Sequence, residues 1–254
     1  MSASPLTSGL QRFWQDSTPT VRIIMAINIV VYLVPALLDW IGVRYKSMPI
    51  SDILLIWGAK DNILIAAADQ YYRFITMMFL HGGVLHLLFN TLAISSIGSD
   101  VERMTGSQRW LFIYFVGGFA GGVASYVFTA NPSVGASGAV FSLVGAALVY
   151  FLLNRNIFGG DARQYIANIL FMAVINIGIG FNAPNIDNMA HIGGFIGGLV
   201  TGFCLMPRVQ LLMREEGDLM PVRRLPQWAW YGVGVFFVLL FVVVATVIPT
   251  VDLG

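Results

Sequence analysis

Charge is scarce in this sequence: only 11% of its 254 residues are Asp, Glu, Lys or Arg, against 57% hydrophobic. So few charged side chains cannot clothe a water-facing surface, which excludes ordinary soluble domains for a chain of this length. A formal net charge of +1 leaves no basic footprint, so no nucleic-acid partner is expected. One cysteine, Cys204, excludes an internal disulfide. There are three histidines and no His-Glu-x-x-His pair. His81 and His86 stand five apart with no carboxylate between them, so neither a zinc site nor another cofactor is expected. The polar first dozen residues are not followed by a short apolar core with a small-residue cleavage site. No removable signal peptide is expected, and the first apolar stretch reads as a permanent span. The internal repeats and midplane polar groups of a transporter are missing too.

What the chain has in quantity is apolar runs. Crossing roughly 30 Å of hydrocarbon takes about 20 mostly apolar residues in a helix. Runs near that length predict seven spans, at 22–40, 74–98, 110–129, 135–153, 165–182, 189–206 and 228–248. The expected fold class is all-α, a polytopic membrane helix bundle with a six-span core and one added C-terminal helix. The segments follow: a short cytoplasmic N-terminus (1–21), the core (22–206), a cytoplasmic linker (207–227), and the seventh helix with an external C-terminus (228–254). Short cytoplasmic loops retain Lys and Arg. With the N-terminus inside, the cytoplasmic side holds Arg12, Arg22, Arg103, Arg109, Arg155, Arg163, Arg208, Arg214, Arg223 and Arg224. Four cations remain outside, Arg44, Lys46, Lys60 and Arg73, all in the loop 41–73, whose Trp57, Tyr71 and Tyr72 suit the membrane interface.

Polar side chains within spans are costly and need a partner or a task. His81, His86 and Asn90 lie in the second span within HGGVLHLLFN, Ser137 opens the fourth within VGASGAV, and His191 lies near the start of the sixth within DNMAHIGGFIGG. In the predicted topology these groups from three helices share one depth near the outer leaflet. Taken singly, each has a plainer reading: a serine bonded to its own backbone, an interfacial histidine, a helix tie. Their convergence favours chemistry. Serine becomes a nucleophile when a neighbouring base takes its proton, and neutral imidazole suits that work near pH 7. Ser137 is the candidate nucleophile and His191 the candidate base. An oxyanion would find donors in the Ser137 backbone N–H, free at a helix start, and in His86 and Asn90. Gly135 allows a tight turn, and Gly138 lets a neighbouring helix come close. His191, Gly194, Gly198 and Gly202 share one face of the sixth span, and Gly138, Ser142, Gly145 and Ala146 one face of the fourth. Small faces of this kind let membrane helices pack backbone to backbone.

His81 with His86 and Asn90, G-x-S-G at 135–138 and Ala-His-x-x-Gly at 190–194 together resemble the rhomboid family of intramembrane serine proteases, over roughly residues 20–206. Glu102 and Arg103 before Gly106 also look like a family feature, with a structural role. The resemblance implies a Ser137–His191 dyad without a carboxylate, which leaves Asp187 as a loop residue. It implies oxyanion stabilisation by His86 and Asn90, and support of the site by His81. Phe141 stands where the family often has Tyr, able to pack on the imidazole but not to donate a hydrogen bond. Tyr72-Arg73 replaces the family's Trp-Arg pair. The implied partners are the lipid bilayer and single-pass membrane protein substrates with an external N-terminus, cut near a small residue where the helix unwinds. The expected position is multi-pass, and the short N-terminus favours a bacterial plasma membrane, with eukaryotic secretory membranes second. The alternative from another class is a catalytically inactive rhomboid-like chaperone or quality-control factor. Such relatives lack the serine or the histidine, and this chain has both.

Overall fold

The structure is a computed structural model that describes residues 13–183, 186–213 and 219–247. Arg12, Arg214 and the end of the predicted seventh span at 248, with the external C-terminus beyond it, lie outside the described residues. The architecture is the expected helical bundle. Six described helices are long and apolar enough to cross a membrane: α1 (Pro19–Trp40), α5 (Val84–Thr105), α6 (Ser107–Phe128), α8 (Arg155–Asn182), α9 (Asn188–Leu205) and α10 (Ala229–Val247). A seventh apolar helix, α7 (Ser137–Leu153), is shorter. Between α1 and α5 the loop 41–73 folds into a two-residue hairpin, β1 (Arg44–Tyr45) with β2 (Met48–Pro49), then α2 (Ile50–Gly58) and α3 (Asn62–Ala68).

Hydropathy alone places residues 74–83 in the second span. They form instead a single helical turn, α4 (Arg73–Thr76), a 3-10 turn (Met77–Phe79) and an irregular stretch through His81. Gly82-Gly83 breaks the helix there, since two residues without Cβ have little to gain from helical order. His86 therefore sits in the first turn of α5, and His81 precedes it. The predicted fifth span begins earlier than 165, and α8 breaks at Gly159, whose φ of 54° is a conformation that glycine adopts without strain.

The linker 207–227 holds structure that hydropathy does not indicate. Strands β3 (Arg208–Met213) and β4 (Leu219–Arg224) pair antiparallel, with Arg208 opposite Arg224 and Met213 opposite Leu219. The hairpin is fastened by Asn154 at the end of α7. Its Nδ2 donates to Pro207 O at 3.1 Å, and its Oδ1 accepts Val209 N–H at 2.7 Å.

Glycine sets the centre of the bundle. Helix α9 lies against both α6 and α7, and carries two stripes of glycine for the purpose. A Cβ added at Gly194 would fall 2.0 Å from Gly138 O, and one at Gly198 2.0 Å from Ser142 O, both on α7. A Cβ at Gly193 would fall 2.8 Å from Ala120 O, and one at Gly197 3.0 Å from Gly117 Cα, both on α6. The contacts with α7 are backbone to backbone, and those with α6 also bring in the Ala124 and Ala120 methyl groups, so a side chain at any of the four would clash. Helix α7 is consequently buried along almost its whole length, while α8 and α10 turn apolar side chains outward.

At the far end of the bundle Glu102 fixes the start of α1. Its carboxylate accepts from Thr20 N–H at 3.2 Å, Val21 N–H at 3.1 Å and Ser107 O–H at 2.6 Å, and also from the Thr18 hydroxyl. An anion there satisfies first-turn amides that have no helical partner and meets the positive end of the helix dipole. This is the structural role expected of Glu102. Arg103 forms an exposed pair with Asp100 at 3.0 Å.

Candidate active site

Three helix starts converge on one point. Ser137 is the first residue of α7, following Gly135, which has a φ of 132°. Gly135 is held in place by its own N–H, which donates to Met77 O at 2.8 Å. His191 is in the first turn of α9. Its Nε2 lies 2.9 Å from Ser137 Oγ, a hydrogen bond between residues 54 positions apart. The approach depends on the glycine contact of Gly194 with Gly138 described above, one turn below the pair.

The imidazole is oriented by packing. Phe141, one turn into α7, stacks on it with ring centroids 4.5 Å apart and planes 12° from parallel. His191 Nδ1 has no hydrogen-bond partner among the described residues. Asp187, the nearest carboxylate in sequence, is committed elsewhere as the N-cap of α9. It accepts from Ala190 N–H at 3.0 Å and from the Ser125 hydroxyl. The arrangement is therefore a pair, Ser137 and His191, with no acid bonded behind the histidine.

His86 reaches the same point from α5. A Cβ on Gly135 would lie 2.7 Å from His86 Nε2 and 3.6 Å from Ser137 Oγ, so the ring fills the space that the missing side chain leaves beside the serine. His81 meets His86 edge to face at 5.2 Å and is almost fully buried. Asn90 is less directly engaged. Its Nδ2 donates to His86 O at 2.9 Å, one turn back on its own helix, and it is bonded to neither Ser137 nor His191. As the first residue of α7, Ser137 has an N–H in the turn whose amides lack an intrahelical acceptor.

A sequence model of the Rhomboid domain matches residues 68–208, which is more than half of the chain and includes every residue named above for the site. The chain belongs to the rhomboid family. Among curated relatives, it is 47% identical to "Rhomboid protease GluP" of Bacillus subtilis over 155 residues, 61% of this chain and 30% of that protein. It is 40% identical to "RHOMBOID-like protein 4" of Arabidopsis thaliana over 63% of this chain and 40% of the relative. It is 38% identical to "RHOMBOID-like protein 7" of the same plant over 70% and 58%. The chain thus spans between about a third and three fifths of the length of these relatives. Family membership and the six long apolar helices support a multi-pass position in a bilayer.

Sequence reasoning missed two contributors. The glycines of α6 at 117, 118, 121 and 122 were legible as close pairs, and a Cβ on Gly121 would fall 2.6 Å from Ala190 O, beside His191. The sequence marks Arg73 as an external cation and as part of the Tyr72-Arg73 pair, without indicating what it binds. It is buried, and donates to Ala59 O at 2.7 Å, Ile56 O at 2.9 Å and Gln70 Oε1 at 2.8 Å, fixing the loop 41–73 to the start of α4.

Proposed function

We propose that this rhomboid is an active intramembrane serine endopeptidase that cleaves single-pass membrane proteins at or near the outer leaflet, with Ser137 as nucleophile and His191 as general base. The observation that carries the reading is the 2.9 Å contact between Ser137 Oγ and His191 Nε2. Distances of roughly 2.6–3.2 Å are those at which a base can take a hydroxyl proton. For Nε2 to accept, the ring hydrogen must reside on Nδ1.

Ser137 Oγ attacks the scissile carbonyl carbon as its proton passes to Nε2. The resulting oxyanion is met by the Ser137 N–H and by His86, whose ring flanks Gly135, with Asn90 as a further amide donor. The C–N bond then breaks, the leaving amine takes the proton from His191, and an acyl ester remains on Ser137. Water, deprotonated by His191, attacks that ester and releases the acid, and Ser137 recovers its proton. Gly138 and Gly194 keep the two helices at reacting distance, Phe141 fixes the ring plane, and His81 supports His86 from behind.

A helical peptide bond hides its carbonyl from attack, so the favoured substrate is a transmembrane segment that unwinds near a small residue. We place the N-terminus in the cytoplasm and the C-terminus outside, on the ten-to-four excess of cations on one side. The core then comprises 22–206, with 207–227 as the cytoplasmic linker and 228–254 as the seventh helix and its tail.

Reaction with a serine-directed fluorophosphonate, together with co-expression of tagged single-pass proteins, tests the reading. Wild type should label and cleave, and Ser137→Ala and His191→Ala should do neither while remaining folded and inserted. Cleavage by Ser137→Ala at a substantial fraction of the wild-type rate would refute it. Failure of the folded wild type to label would favour the non-hydrolytic chaperone reading instead.

A further inference from the structure

Lys60 is fully buried, which is unusual for an external loop cation. It lies between α2 and α3, and its Nζ donates to Asn62 Oδ1 at 2.9 Å, Thr129 O at 2.8 Å and Asn131 O at 2.8 Å. Thr129 is the C-cap of α6. The carbonyls at a helix C-terminus have no helical partners and carry the negative end of the dipole, so an ammonium there is doubly favourable. Asn62 adds to the same cap, donating to Tyr126 O at 2.9 Å and Thr129 O at 3.2 Å. The Lys60 backbone joins in as well. Its N–H donates to Ser133 O at 2.9 Å, and its carbonyl accepts Ser133 N–H at 3.0 Å.

Apart from the Lys60–Asn62 bond and the Asn62 bond to Tyr126 O within α6, these bonds land on the segment 129–133, which runs directly into Gly135 and Ser137. Further along the segment, Gly135 N–H donates to Met77 O at 2.8 Å. The turn that presents the nucleophile and its N–H is therefore held from one side by Lys60 and from the other by Met77.

On the reading of Ser137 given above, we propose that Lys60 is a positioning residue, whose buried ammonium caps α6 and pins the loop 129–133 so that Ser137 and its N–H keep their geometry during reaction. It touches none of the reacting atoms. Its effect is on the turn, and so on the rate of the bound substrate's conversion and not on substrate affinity.

The test is Lys60→Met, which keeps most of the stem and removes the donors, with Lys60→Arg as the variant that keeps charge and donors. Cleavage of a transmembrane reporter should show kcat per folded enzyme lowered by about 10- to 100-fold, the cost of a misplacement near 1 Å, with KM within about threefold. Lys60→Arg should recover part of that loss. Amide hydrogen exchange supplies a readout independent of activity: the Ser133 and Gly135 amides should exchange faster in Lys60→Met, while those in the middle of α9 do not. If Lys60→Met does not fold, Asn62→Ala is read in the same two assays, with a smaller fall in kcat and the same local gain in exchange. Unchanged kcat with unchanged exchange at 133–135 would overturn the proposal, and so would a uniform rise in exchange with unchanged kcat. Should wild type itself prove inactive, the proposed hydrolysis fails, and the exchange pattern still decides whether Lys60 holds the turn.

Discussion

Adding one methyl group at Gly194 should separate the proposed catalytic pair. In Gly194→Ala the new Cβ would sit 2.0 Å from Gly138 O, 2.8 Å from Gly138 C and 3.0 Å from Gly138 Cα. All three are backbone atoms, so no rotamer change relieves the clash. Ordinary contact begins near 3.4 Å, and the helices must part locally by about 1.4 Å. Gly194 is one turn from His191, and Gly138 adjoins Ser137, so little lies between the wedge and the pair to absorb the shift. A Ser137–His191 distance of 2.9 Å would open beyond hydrogen-bond range. Misplacement near 1 Å costs about 100-fold in rate, and overpacking costs about 1–3 kcal/mol of stability, which corresponds to roughly 2–4 °C in Tm per kcal/mol for a chain of this size. The control is Gly234→Ala, where a Cβ would meet nothing within 4 Å. There Tm should hold or rise slightly, because alanine is the better helix former. The assay is cleavage rate and Tm, measured in detergent for both variants. Near-normal turnover in Gly194→Ala, or equal losses in the two, would show that the α7–α9 contact does not set the distance between serine and histidine.

Asn90→Ala should lower kcat by about 10- to 1,000-fold with little change in KM, as loss of one oxyanion donor does; a rise in KM with normal kcat would make Asn90 a substrate contact or a helix tie. Glu102→Ala should cost about 2–3 kcal/mol by leaving the first amides of α1 without their carboxylate, seen as a lower Tm with turnover per folded molecule unchanged, since Glu102 is at the opposite end of the bundle from Ser137. Burial pushes the Lys60 ammonium down to about 8 from its usual 10.5, with Asp187 and Asp61 nearby opposing the shift. Between pH 8 and 10.5 the unfolded chain therefore binds more protons than the folded one. The contribution of Lys60 to folded stability should rise with pH across that window and level off above it. The Tm of wild type minus that of Lys60→Met, followed from pH 7 to 10.5, should climb, and a flat or falling difference would contradict the shift.

The candidate site was legible in the sequence because it is built from rare residues at fixed places. Three histidines, one serine between glycines and an asparagine one turn after a histidine stand out against an apolar background. The packing of α9 on α7 was legible as well, since Gly194, Gly198 and Gly202 recur at helical spacing. What escaped were features decided by distant partners. Lys60 reads as an exposed cation until the end of α6 comes to meet it, and nothing local to residues 59–62 signals that. Arg73 is similar, because two of its three acceptors are backbone carbonyls at Ala59 and Ile56, which carry no side-chain signature. The β3–β4 hairpin escaped because two strands alone are weak in propensity, and this one is fastened by Asn154, more than fifty residues earlier in the chain. The true start of α5 was masked by the apolar composition of residues 74–80, which hydropathy cannot distinguish from helix.

Helix α7 is 17 residues long, and at 1.5 Å per residue it rises about 25 Å, less than the roughly 30 Å of a typical hydrocarbon core. A lipid-facing helix of that length would tilt the balance toward local thinning of the bilayer. Helix α7 meets hardly any lipid, because its residues from Gly138 to Phe151 are buried among its neighbours. A host membrane with longer or shorter acyl chains will therefore press on α1, α8 and α10, whose apolar side chains face outward, and leave the helix that carries Ser137 at its own level. What varies with membrane thickness is the distance that a substrate segment has to bend to reach that level.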